Sequence, residues 1–273
     1  QLTGFKENKD GETDLTFLVN GKTVQEKADI VVGADGIRSA VRSHLIGDEI
    51  SPLRYLGCIV ILGICPLSAL ENSNHHLLDS ATVFQTANGN ERIYVMPYDA
   101  DSVMWQLSFP MSEEDAKALS EKGSKALKEE AILRTPWHAP IPEILNATDE
   151  NLISGYPVYD RDLLSSESFA HAASATLIGD AAHPMSPFKG QGANQALLDA
   201  LSRAREIFRN CQLFNWKETD LRESILNGYE AEMLERSAVK VKDSAAAAEF
   251  LHSEIALYEG NEPRGKVLKR RES

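Results

Sequence analysis

The densest chemistry in the chain lies in one stretch, Leu177-Ile178-Gly179-Asp180-Ala181-Ala182-His183-Pro184-Met185-Ser186-Pro187-Phe188-Lys189-Gly190-Gln191-Gly192-Ala193-Asn194-Gln195-Ala196. An apolar run ends in a carboxylate, Asp180, and a loop carrying Pro184 and Pro187 leads to Gly190-Gln191-Gly192 at the head of a helix-forming segment. Glycines at that place let a ligand approach the backbone, and the amides of a first helical turn have no partner inside the helix. The helix dipole favours negative charge at the same end. The arrangement suits a group that gains electron density, with Asp180 placed to accept hydrogen bonds from hydroxyls. A second stretch, ADIVVGADGIRSAVR, ends another apolar run in Asp35-Gly36, with Arg38 two positions on.

Each of these acidic turns needs a strand to deliver it and a helix to receive it. Ala28–Val32 and Ser174–Ile178 read as buried strands of a mostly parallel sheet, each feeding a helix through a tight turn. The second of those helices begins near Gln191 or Gly192 and carries a 3.6-residue apolar stripe of Ala193, Ala196, Leu197, Ala200, Leu201 and Ala204. Upstream, Leu15–Val19 and Thr23–Val24 flank Asn20-Gly21, a two-residue hairpin signal. From Pro52 to Pro110 the texture is β: Tyr55–Ile64, Ala81–Thr86, Arg92–Met96 and Val103–Phe109. Ser112-Glu113-Glu114-Asp115 caps a helix expected to reach Arg134, where Thr135-Pro136 stops it. Tyr156–Tyr159 is a further short strand, and a long helix is expected from about Asp220 to Tyr258.

Composition narrows the partners. The 273 residues include 28 Lys and Arg against 41 Asp and Glu, a formal charge of −13, which argues against nucleic acid or an anionic membrane as the main partner. The one dense basic stretch, Arg264 to Arg271, reads as a solvated tail. Three cysteines, Cys58, Cys65 and Cys211, are too few and too odd in number for a disulfide framework, and no Cys-x-x-Cys or His-x-x-x-His spacing suggests a metal. The longest uncharged run, Tyr55–Leu70, contains Pro66 and is rich in β-branched residues, so it reads as a buried strand rather than a membrane span. With no secretory signal, a cytoplasmic setting is expected. The chain opens at Gln1 inside a strand pattern, so its N-terminus reads as missing.

The segment GDAAHPMSPFKGQGANQALLDA resembles the second FAD-binding motif of the single-component flavoprotein aromatic hydroxylases, the group that includes para-hydroxybenzoate hydroxylase and the tetracycline-inactivating monooxygenases. ADIVVGADGIRSAVR is similar to that family's Asp-Gly motif, and the two occur in the family's order with a β-rich insert between them. The resemblance implies an α/β fold: the C-terminal two-thirds of a Rossmann-like FAD-binding domain, an inserted antiparallel substrate domain and long C-terminal helices. It divides the chain into residues 1–50 and 155–211 for the FAD-binding domain, 51–154 for the substrate domain and 212–273 for the helical segment. It implies that Asp180 bonds the ribityl hydroxyls of FAD and that the backbone of Gly190, Gln191, Gly192, Ala193 and Asn194 faces the pyrimidine end of the flavin. Pro187 would lie close to ring and substrate, and Asp35, Gly36 and Arg38 would hold the cofactor and the path of NADPH or NADH. The implied activity is hydroxylation of a small aromatic or polycyclic substrate with NAD(P)H and O2, through a flavin C4a-hydroperoxide, with no side chain singled out as catalytic. The family's upstream Gly-x-Gly-x-x-Gly, which cradles the FAD pyrophosphate, does not occur here. Two other readings therefore stand beside the first: a flavin-dependent reductase of the same fold, and a non-catalytic fragment lacking the pyrophosphate site.

Other residues divide between bland and functional roles. His183 reads as a packing residue behind the loop with its ring nitrogens hydrogen-bonded. Arg92, Tyr94 and Tyr98 either line a substrate pocket or form a half-exposed strand face. Tyr159-Asp160-Arg161-Asp162 is either a junction near the flavin or a solvated turn.

Overall fold

The computed structural model describes residues 1–8, 12–70, 75–79, 81–212 and 220–258. The basic stretch from Arg264 and the residue Trp216 lie outside them. Its described residues divide into two compact units, one within Gln1–Arg54 and Tyr159–Ala247, the other within Tyr55–Val158 and residues 248–258.

The first unit opens with an antiparallel sheet of β1 (Leu2–Glu7), β2 (Thr13–Val19) and β3 (Lys22–Ala28). Asn20 and Gly21 join β2 to β3 with φ of 51° and 75°, the left-handed pair that an Asn-Gly hairpin turn requires. Next, β4 (Val31–Gly33) runs parallel to β10 (Ala175–Leu177), pairing Val31 with Ala175 and Gly33 with Leu177. A Cβ on Gly33 would stand 2.6 Å from Leu177 Cδ2 and 2.8 Å from Val41 Cβ, so glycine is what lets α1 (Ala40–Ile46) close onto the strand pair. The core here gathers Val31, Val41, Phe169, Leu177, Tyr229 and Met233. Tyr229 is on α6 (Asn227–Leu251), where its buried hydroxyl donates to Leu177 O at 3.0 Å.

The second unit carries most of a five-stranded sheet ordered β6–β7–β8–β5–β9, from β5 (Leu53–Pro66), β6 (Phe84–Ala87), β7 (Arg92–Pro97), β8 (Ser102–Pro110) and β9 (Ile153–Arg161). One face is sealed by apolar packing. Ile59, Ile61, Ile93, Trp105, Leu107 and Phe109 form one core with Leu127 and Ala131 of α3 (Ser124–Arg134) and Ile141, Ile144 and Leu145 of α4 (Ile141–Ala147). The opposite face carries Leu62, Ile64, Tyr94, Met104 and Gln106, all half-buried. A cavity of about 530 Å³ opens between α4 and the segment after β5, lined by Leu70, His75, Leu78, Pro140 and Glu143 among others.

Three local expectations are corrected. The helix expected to run to Arg134 is two helices, α2 (Glu113–Glu121) and α3, because Gly123 between them takes φ 84° and ψ −176°, which a helix cannot continue through. The long C-terminal helix starts with a π-type turn at Arg222–Leu226 and breaks after Leu251, where Ser253 Oγ takes the Phe250 carbonyl; α7 (Ile255–Tyr258) is a separate turn. The apolar stripe on α5 (Gly192–Cys211) faces outward: Leu197 is 69 % and Leu201 47 % exposed, while Gln195, Asp199 and Arg203 turn inward.

Candidate functional site

The candidate cofactor site lies in the first unit. It starts where β10 ends. Gly179, at φ 58°, turns the chain, and a Cβ there would stand 3.1 Å from Ala196 Cβ on α5, so the turn seats directly on that helix. Asp180 follows with its side chain open to solvent. The protein around it still raises its carboxyl above the usual carboxylate range, with the nearby His183 pulling the other way.

The loop then returns to the same place. Ser186 Oγ donates to Ser244 O at 2.6 Å, a short 3-10 turn covers Pro187–Lys189, and Gly190 adopts the left-handed conformation at φ 60°. Gln191 occupies the N-cap of α5 and makes no capping hydrogen bond. The first-turn amides of Gly192, Ala193 and Asn194 are thus left to whatever lies beyond the helix end. A Cβ on Gly192 would stand 3.8 Å from Asp180 Oδ1, so the carboxylate and the uncapped helix terminus are neighbours. Asp180 and the α5 start at Gly192, Ala193 and Asn194 thus set a hydrogen-bond acceptor beside several backbone donors, with Pro187, Gly190 and Gln191 on the loop that leads into that start.

Asp35, Gly36 and Arg38 occupy a separate turn at the end of β4. Asp35 caps α1: its carboxylate accepts from Ser39 Oγ, from Ala40 N–H at 2.8 Å and from Val41 N–H at 3.3 Å. Gly36 sits at φ 81°, and the exposed Arg38 lies over the Tyr159 ring, 5.8 Å from its centroid. The two acidic turns are tied through Arg42, fully buried on α1, whose Nη1 donates to Ala181 O at 2.8 Å and Ala182 O at 3.0 Å. Burial, helped by the charge of Arg161, pulls the Arg42 guanidinium down to about 10.

Sequence reasoning missed the buried polar layer behind Asp180. His183 is not fully satisfied as expected: Nε2–H donates to Asp199 Oδ2 at 2.7 Å, but Nδ1 is buried without a partner among the described residues. Asp199 was not singled out at all. Its signal was present as Gln195, Asp199 and Arg203 at i, i+4 and i+8, a polar row on the opposite side of α5 from the apolar one. Nor is Tyr159-Asp160-Arg161-Asp162 a solvated turn. Asp160 is fully buried and takes a two-pronged ion pair from Arg54, with both hydrogen bonds 2.8 Å, while Arg161 donates to the carbonyls of Ile37 and Ser51. Among the described residues, no helix is long and apolar enough to cross a membrane and no cluster of three His, Cys, Asp or Glu could hold a metal ion.

The FAD binding domain family matches residues 165–238, the stretch that holds the Asp180 turn, α5 and the start of α6. The chain is 30 % identical over 214 residues to the aurachin C monooxygenase/isomerase of Stigmatella aurantiaca, covering 78 % of this chain and 50 % of that protein. It is 29 % identical over 196 residues to the 6-hydroxynicotinate 3-monooxygenase of Bordetella bronchiseptica, covering 72 % and 48 %. These matches identify an FAD-binding domain of the kind found in flavoprotein monooxygenases. Its fold agrees: a Klebsiella pneumoniae HpxO variant complexed with FAD superposes with a TM-score of 0.74 at 20 % identity, over 95 % of this chain and 61 % of that one. The chain spans about half the length of the curated relatives it matches. The α/β architecture with an antiparallel sheet and a long C-terminal helix is thus that of part of a flavoprotein monooxygenase.

Proposed function

We propose that this chain forms the flavin-ring end and the substrate sheet of an FAD-dependent monooxygenase that uses NAD(P)H and O2 to hydroxylate a small aromatic substrate. The observation that carries this reading is the Asp180 carboxylate beside the uncapped amides of Gly192–Asn194. These residues fit FAD by donor and acceptor type. The ribityl chain offers hydroxyl donors to Asp180, and the pyrimidine carbonyls offer acceptors to the amides. When bound, FAD supplies the redox and oxygen-transfer chemistry. The protein's part is to hold and polarise: the α5 terminus stabilises negative charge on the ring's pyrimidine end, and Gly190 and Gly192 leave room for the ring to approach the backbone.

Substrate recognition is assigned to the second unit. Arg92 lies 5.2 Å from the Tyr94 ring centroid and donates through Nε to Gln85 Oε1 at 3.1 Å, on the sheet face shared with Leu62, Met104 and Gln106. A guanidinium set among flat and apolar surfaces suits an aromatic ring that bears an acidic group. Several relatives are named for such compounds, 6-hydroxynicotinate and 3-amino-4-hydroxybenzoate among them.

Titration of the purified chain with FAD, followed by flavin fluorescence and the visible spectrum, tests the reading. Binding with a perturbed flavin band, followed by NAD(P)H oxidation that accelerates with hydroxylated aromatic acids, is the expected outcome. Turnover that persists without oxygen would replace it with the reductase reading. Failure to bind FAD would favour the reading of a non-catalytic chain.

A further inference from the structure

We propose that Asp199 is a positioning residue that holds the Asp180 turn in its flavin-receiving shape, an inference that rests on the reading of Asp180 as an FAD contact. Asp199 lies in the middle of α5, two helical turns from its N-terminus, and is fully buried. Three donors converge on its carboxylate. The Gly179 N–H reaches Oδ2 at 2.8 Å, His183 Nε2–H reaches the same oxygen at 2.7 Å, and Arg236 Nη2 reaches Oδ1 at 2.8 Å. Burial alone would raise this carboxyl; the His183 and Arg236 bonds overcome it and keep the group ionised.

The pattern of partners gives the role. Gly179 and His183 bracket Asp180, one residue before it and three after, so one carboxylate oxygen grips both ends of the turn that presents it. Gly179 is at φ 58° and packs against Ala196, one helical turn N-terminal to Asp199 on α5, so the turn has little freedom once the grip is made. On the far side, Arg236 of α6 binds both Asp199 and Gln195 Oε1, each at 2.8 Å, and fixes the rotamer of the gripping carboxylate. Asp199 itself touches no part of the open constellation. It acts through the backbone of the turn, and a charged acceptor serving two donors in a dry site is geometrically demanding.

A second buried carboxylate provides the control. Glu230 is also buried, accepts from Thr176 Oγ1 at 2.7 Å and pairs with Arg222 at 2.7 Å, but makes no bond to residues 179–183. Asp199→Asn keeps the shape while replacing an acceptor oxygen by a donor, so it sets donor against donor at the turn. Asp199→Asn is expected to weaken FAD binding roughly tenfold or more, as loss of one charge-assisted hydrogen bond implies, and to shift the visible band of the flavin that remains bound. Glu230→Gln is expected to lower thermal stability comparably while leaving FAD affinity within about twofold. His183→Gln, which retains a donor toward Asp199, should fall between them. In the same variants, hydrogen exchange at the amides of residues 179–183 should accelerate for Asp199→Asn and not for Glu230→Gln, with or without FAD.

Equal loss of FAD affinity in Asp199→Asn and Glu230→Gln would overturn the proposal, since both would then act only on stability. Unchanged exchange at residues 179–183 in Asp199→Asn would overturn it as well. Should Asp199→Asn fail to fold, the His183→Gln and Glu230→Gln pair decides by the same two readouts. Wild-type protein that binds no FAD would instead defeat the reading of Asp180, and the exchange comparison would still decide whether Asp199 holds the turn.

Discussion

The interiors of the two units are built from different materials. In the second unit, Trp105, Phe109, Ile59, Ile61, Ile141 and Ile144 fill the space, and a Cβ on Gly63 would stand only 2.4 Å from the Trp105 indole. In the first, Arg42, Asp199, Arg203 and Glu230 are buried beside the apolar residues, and hydrogen bonds set the arrangement. An apolar core is held by close packing that has no direction of its own; a polar one is held by directed bonds, because each buried donor or acceptor left unmet is costly. The difference teaches where each kind of damage should appear. Substitutions in the second unit should cost stability, and those in the polar layer of the first should cost ligand geometry.

Ile144→Ala is the strongest way to break this comparison. Ile144 is fully buried against the Trp105 core, so its truncation should cost about 3–4 kcal/mol by urea unfolding. A loss of under about 1 kcal/mol would show that the core relaxes and that the contrast is overdrawn.

The Asp199→Asn and Glu230→Gln pair sharpens the same contrast within the first unit, separating ligand geometry from stability. A finer test uses pH. The Asp180 carboxyl is raised in the folded chain, so its proton contributes stability below the unfolded value of about 3.9 and that contribution is lost as pH rises through the folded value. Flavin hydroxyls need the ionised form, so FAD affinity should fall on acidification with a midpoint above the ordinary carboxylate range. Asp180→Asn should bind FAD more weakly and flatten that profile; a profile unchanged by the substitution would remove Asp180 from the site.

Legibility from sequence followed the same division. The Asn20-Gly21 hairpin, the β4 and β10 strands and the Asp180-to-Asn194 motif were readable because each rests on local chemistry: a left-handed turn, a short apolar run, a glycine at a helix start. Gly123 was overlooked because a single glycine within a helical pattern does not announce a break until the backbone takes positive φ. Asp199 and Arg42 escaped because their meaning lies in partners far along the chain, Gly179, Arg236, Ala181 and Ala182. The stripe on α5 was found, but periodicity alone does not say which side of a helix is covered, and here the charged side is buried.

That inverted helix has a colloidal consequence. Leu197, Leu198, Leu201 and Phe208 make a greasy ridge on a molecule whose net charge is −13. Mutual repulsion keeps such ridges apart in dilute buffer, and added salt screens it within about 10 Å at 0.1 M while strengthening the attraction between apolar surfaces. Self-association measured by light scattering should therefore grow with ionic strength, the reverse of what an ion-paired contact would do, and Leu197→Glu should suppress it.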